Sequence, residues 1–144
     1  MTEPAGFWDS SVLVPLCLRE PRTAACRETL RRIAPVVWWA TEVEISSAIA
    51  RSLHSGSIVD REAQEAYEIL RWLQGTWLEI APEGEIREMA CALLEQYSLR
   101  AADSLQLAAA MVWCGERPEG RKFLCADRRL SEAARAAGFS MVEI

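Results

Sequence analysis

Histidine is almost missing from this chain: His54 is the only one in 144 residues. The five cysteines, Cys17, Cys26, Cys91, Cys114 and Cys125, are scattered and include no CxxC pair. Together these gaps exclude a zinc-type site, which needs histidine or paired cysteine at ligand spacing. An odd number of dispersed cysteines also cannot complete a disulfide framework, so reduced core thiols are expected. Lysine is just as scarce, with Lys122 the sole one, so that arginine supplies nearly all the positive charge. No run approaches the roughly 18 uninterrupted apolar residues of a membrane span. The N-terminus lacks a basic region followed by an apolar stretch, and a cytoplasmic protein is expected. There are no repeats or low-complexity tracts. The net charge of −5 excludes binding nucleic acid through a generally basic surface, so any such contact has to use local clusters.

What is present is the balance of an ordinary folded protein, 51% hydrophobic and 26% charged, on a length that suits one domain spanning residues 1–144. AGFW at 5–8 reads as a short buried strand running into Asp9, followed by the helical segment SSVLVPLCL with Pro15 inside it. A helical pattern covers 22–32. PVVWWA then has the β-branched and aromatic character of a strand buried on both faces. Thr41 is the predicted N-cap of a helix through Leu53. A second amphipathic helix is expected over 60–73, broken by Gly75; TWLEIAP is a third strand, stopped by Pro82. Helices are expected over 85–96 and 99–114, RKFLCAD is a fourth strand, DRRLSEAARAAG a helix ending on glycine, and MVEI a last strand. Short apolar strands alternating with helices predict an α/β protein, a three-layer α/β/α sandwich with a mainly parallel central sheet. Ligands of such folds bind at the carboxyl ends of the strands.

That rule draws attention to acids. Asp9 follows the first strand, Asp127 follows the fourth, and Glu44 lies in the first turn of the helix after the second, which puts all three on one sheet edge. Asp9 and Asp127 also suit simple helix capping. Asp103 is the sharper signal. It interrupts LRAADSLQLAAAMVW, a helix apolar enough to be buried nearly all round, and Leu107 and Ala110 share its face. A carboxylate there is costly unless it is paired, hydrogen-bonded or bound to a cation, although a helix N-terminus stabilises one modestly. Four converging carboxylates repel each other, and a hard divalent ion with oxygen ligands, Mg²⁺ or Mn²⁺, relieves that repulsion. Such ions support hydrolysis of phosphodiesters.

The segments carrying these acids, WDSSVLVPL, TEVEISSAIAR, LRAADSLQLAAA and FLCADRRLSEAARAAGF, resemble in order and spacing the four motifs of the PIN-domain ribonucleases, most closely the VapC-type toxin branch. The resemblance implies that Asp9, Glu44, Asp103 and Asp127 are the metal-binding and catalytic acids and that Ser11 orders the site by hydrogen bonding. Glu44 is preferred to Glu42 because it directly precedes the ISSAIAR pattern, as the family's glutamate does. Where the family often has threonine or serine two residues before its last aspartate, this chain has Cys125. The resemblance further implies an endoribonuclease acting on RNA with Mg²⁺ or Mn²⁺, a homodimer, and a small cognate antitoxin that covers the acidic cleft.

Other readings stay in view. Arg128 and Arg129 suit either substrate phosphate or a solvated helix face. The six tryptophans are read as core residues rather than base-stacking platforms, with Trp72 and Trp77 candidates for a partner surface. A signalling receiver domain needs an acidic pair after its first strand and a lysine after a late one, whereas Asp9 is followed by serines and Lys122 precedes its strand. The remaining alternatives are an RNA-processing nuclease without an antitoxin and a non-catalytic interaction module, the latter disfavoured because all four acidic positions are filled.

Overall fold

A computed structural model describes residues 4–144. Five short strands, β1 (Ala5–Trp8), β2 (Ala34–Trp38), β3 (Leu78–Ile80), β4 (Lys122–Leu124) and β5 (Ser140–Val142), form one sheet in the order β3-β2-β1-β4-β5. Every neighbouring pair is parallel. Seven helices connect them: α1 (Ser10–Cys17), α2 (Thr23–Leu30), α3 (Thr41–His54), α4 (Asp60–Gln74), α5 (Gly84–Gln96), α6 (Ala101–Trp113) and α7 (Arg128–Ala137).

Alternation along the strands sends successive side chains to opposite faces, and each face buries its own helical layer. Phe7, Val36, Trp38 and Phe123 pack with Ile86, Leu93, Leu107 and Leu130 from α5, α6 and α7. Trp8, Val37 and Leu124 pack on the other side with Leu13, Ile45, Ile49 and Leu70 from α1, α3 and α4. The expected three-layer α/β/α sandwich is therefore what forms, with the sheet entirely parallel. Gly6 is required by this packing, because a Cβ there would lie 2.8 Å from Leu124 Cδ1 and 2.9 Å from Ile33 Cγ2.

Strand order reverses at β1, whose neighbours β2 and β4 lead into helices on opposite faces. The carboxyl ends of β1, β2 and β4 are thus the place where a cleft can open.

Several local expectations need correction. Thr41 does not cap α3: Ala40 is the N-cap residue, with no side-chain cap bond. Thr41 is fully buried one position inside the helix, where its hydroxyl accepts from Gln106 Nε2 at 3.2 Å. A tertiary partner has displaced the local cap. The helix expected from residue 99 starts at Ala101, because Arg100 is extended with ψ 161°. β4 ends at Leu124, so Cys125 to Asp127 form a loop rather than strand, and β5 begins at Ser140, one residue before MVEI. Cys91 is exposed, unlike the other four free cysteines, and so is not a core thiol. Trp39 and Trp72 are 50% and 60% exposed, which removes them from the core reading.

Candidate active site

Asp9 is the first residue beyond β1 and is buried. It takes the extended conformation of an N-cap, and its Oδ2 accepts from the Ser11 backbone N–H at 3.1 Å. Asp127 caps α7 in the same way, its Oδ1 accepting from Leu130 N at 2.9 Å, but it stands exposed. Capping is real at both positions and leaves the second carboxylate oxygen of each without a hydrogen bond to the described residues. A capping aspartate whose other oxygen is free remains a candidate ligand.

Glu44, in the first turn of α3, is held from two sides. Ser10 Oγ donates to its Oε2 at 2.7 Å and Gln106 Nε2 donates to its Oε1 at 3.0 Å. Glu42 is exposed on the same helix. Asp103 lies half-buried in the first turn of α6, where Ala101 and Ala102 are exposed while residues 106–110 are buried. The helix is therefore apolar all round only beyond its first turn, and its open start faces the other acids.

Burial and the charges of neighbouring acids act together on Asp9, Glu44 and Asp103. Burial raises the Asp9 pKa above its ordinary value, and the charge of Glu44 adds to this against the hydrogen bonds from Ser11 and Cys125. Burial also raises Glu44, with Asp103 adding, while the bonds from Ser10 and Gln106 oppose. Asp103 is pushed up to about 6, first by burial and then by the charges of Asp127 and Asp9, with Arg100 opposing. The sequence-selected acids are thus brought to one electrostatic cluster at the carboxyl ends of β1, β2 and β4.

Ser11 Oγ accepts from the Ala126 backbone N–H at 2.9 Å and so ties α1 to the loop that carries Asp127. Cys125 extends that link. Its thiol reaches Asp9 Oδ2 at 3.6 Å, and its sulfur accepts from Asp127 N at 3.2 Å. Burial pushes the thiol pKa up to about 12, so it stays a neutral donor rather than a thiolate ligand. Arg128 points into solvent and pairs with Glu132 at 3.0 Å.

Three residues of the site were missed in the sequence: Ser10, Thr41 and Gln106. Gln106 is the most informative. It is fully buried, three residues after Asp103, and its amide bridges Glu44 and Thr41 while its Oε1 has no partner among the described residues. A glutamine inside an otherwise apolar helix was the available signal.

The donor set fits a hard divalent cation: four carboxylates, no histidine, and a thiol kept protonated. Among the described residues, no three His, Cys, Asp or Glu side chains by themselves enclose an ion.

A parallel α/β domain with clustered acids at its strand-order reversal defines a class of acidic-site proteins. The PIN domain family matches residues 7–136, nine-tenths of the chain. The chain belongs to the PIN domain family. Among solved structures it is similar to FitAcB from Neisseria gonorrhoeae, at 16% identity and a TM-score of 0.61 over 93% of this chain and 96% of that one. It is likewise similar to FitAB bound to an IR36 DNA fragment, at 13% identity and a TM-score of 0.61 over 94% and 92%. At such identities these two likenesses speak for the fold. No curated protein matches the sequence.

Proposed function

We propose that this PIN domain is a metal-dependent endoribonuclease and the toxin of a toxin–antitoxin pair. The observation that carries the nuclease reading is the placing of Asp9 and Asp127 at the N-caps of α1 and α7 and of Glu44 and Asp103 in the first turns of α3 and α6, in a chain of the PIN domain family. Asp9, Glu44, Asp103 and Asp127 would hold Mg²⁺ or Mn²⁺. When bound, the ion lowers the pKa of water and neutralises charge developing on a phosphoryl group.

The chain's own residues prepare that chemistry. Ser10 and Gln106 fix the plane of the Glu44 carboxylate and favour its ionised form. Ser11 and Cys125 set the separation of Asp9 from Asp127 by bonding both segments. Arg128, exposed beside Asp127, would give a bidentate contact to substrate phosphate once it leaves Glu132, an exposed pair worth little.

The antitoxin partner and the homodimer follow from the resemblance to VapC-type toxins. A groove of about 800 Å³ between α1 and α3, running from Ser10 and Glu44 to Ser55, is where such a segment would lie. No helix among the described residues is long and apolar enough to cross a membrane. The reading is tested by incubating the purified chain with single-stranded RNA in Mg²⁺ or Mn²⁺ and in EDTA. Internal cleavage only with the ion is expected; cleavage that survives EDTA, or none under any condition, contradicts it.

A further inference from the structure

Two openings flank the acids. The α1–α3 groove carries Glu20 and Glu44 against a single cation, Arg51, and is poor ground for a polyanion. The other, about 470 Å³ between the starts of α6 and α7, is lined by Arg100, Ala102, Asp103, Asp127, Arg128 and Arg129. It brings three arginines to the rim of an opening that two of the site's acids also line.

These arginines are not committed to structure. Among the described residues, Arg100 and Arg129 make no ion pair, and Arg128 has only the solvent-exposed Glu132. Arg100 precedes the first turn of α6, and Arg128 and Arg129 open α7, where the positive end of each helix dipole disfavours a cation. In a protein of net charge −5, RNA binding needs a local basic surface, and guanidinium groups grip phosphate bidentately.

We propose that RNA enters the acidic site across the α6–α7 opening, with Arg100, Arg128 and Arg129 holding backbone phosphates of a single strand next to the bond to be cut. This rests on the ribonuclease reading above. The contacts are to phosphate, so they add affinity without choosing a sequence. Arg100 and Arg129 thereby become binding residues alongside Arg128.

The test compares the full-length chain with Arg100→Gln/Arg128→Gln/Arg129→Gln and with the equal-charge control Arg31→Gln/Arg61→Gln/Arg135→Gln, whose sites are exposed and line neither opening. A fluorescein-labelled oligouridylate of about 12 nucleotides is bound in EDTA and cleaved in Mg²⁺. The rim variant should raise KM at least about tenfold with kcat within about threefold, and flatten the slope of log affinity against log salt by about 2, three contacts at about 0.7 each. Its thermal stability should hold, because freeing two helix N-termini of cations offsets the lost attraction of these arginines for Asp103 and Asp127, so weak binding cannot be ascribed to unfolding. Equal losses in rim and control variants would reduce the effect to net charge and overturn the proposal, as would a rim variant that binds like wild type. A wild-type chain that neither binds nor cleaves RNA overturns the ribonuclease reading itself.

Discussion

Replacing Gln106 with leucine separates a residue that positions the site from one that merely fills the core. The side chain is fully buried, so the new residue must pack, and leucine is close in volume and suited to an apolar helix. Removing the amide costs the 3.0 Å bond to the Glu44 carboxylate, of the charge-assisted kind worth about 1.5–3 kcal/mol. The 3.2 Å bond to the buried Thr41 hydroxyl is lost as well, worth about 0.5–1.5 kcal/mol. Against these losses the change removes the unpartnered Oε1, a buried acceptor whose desolvation costs about 1–3 kcal/mol. The gain offsets most of the loss, and the metal-free fold should lose about 1–2 kcal/mol. Activity has no such compensation. Glu44 keeps only Ser10, its carboxylate turns more freely and ionises less readily, and cleavage should fall about 10- to 100-fold, the range for residues that support metal ligands. The assay pairs thermal melts in EDTA with cleavage rates titrated against Mg²⁺, where the half-activating concentration should rise. A variant with wild-type metal dependence and rate would refute the idea that Gln106 holds Glu44.

Three further outcomes follow from the same geometry. Folded-state pKa values above the unfolded ones mean that Asp9, Glu44 and Asp103 favour the metal-free fold below about pH 4 and weaken it as pH rises through their folded values, about 6 for Asp103. For half-buried Asp103 that is at most about 3 kcal/mol and nearer 1 after solvent screening; melts in EDTA should show wild type losing stability from pH 4 to 7 relative to Asp103→Asn, and millimolar Mg²⁺ at pH 7 should restore it. Cys125→Ser keeps a neutral donor to Asp9 and should stay within about threefold of wild-type activity, whereas Cys125→Val, with none, should lose about tenfold; equal rates would show the thiol to be idle. Expression of the chain alone should arrest growth and co-expression of a small adjacent-gene partner should relieve it and copurify; harmless expression of active enzyme would favour an RNA-processing role.

Asp9, Glu44 and Asp127 were legible because position after a strand is a local property, and a parallel sheet converts it into a shared edge. Asp103 was legible as a charge in an apolar helix. Gln106 and Thr41 were not, because each gains its meaning from the other across 65 residues, and a threonine before a helical pattern reads as a cap when only its neighbours in sequence are considered. The exposure of Trp39 was hidden for a related reason: it directly follows the last residue of β2, and strand ends are the least certain feature of an apolar run. The role of Cys125 emerged only with the loop after β4, where it contacts both Asp9 and Asp127.

The central claim is that the four acids act together on RNA through a divalent ion, and Asp103→Asn probes it most directly. Asparagine keeps the volume and the hydrogen-bonding reach but removes one charge. Cleavage of single-stranded RNA should fall at least about a hundredfold in Mg²⁺ or Mn²⁺, the thermal stabilisation by the ion should shrink, and the metal-free fold should be as stable as wild type or more so. Near-normal, ion-dependent cleavage by Asp103→Asn would contradict the account.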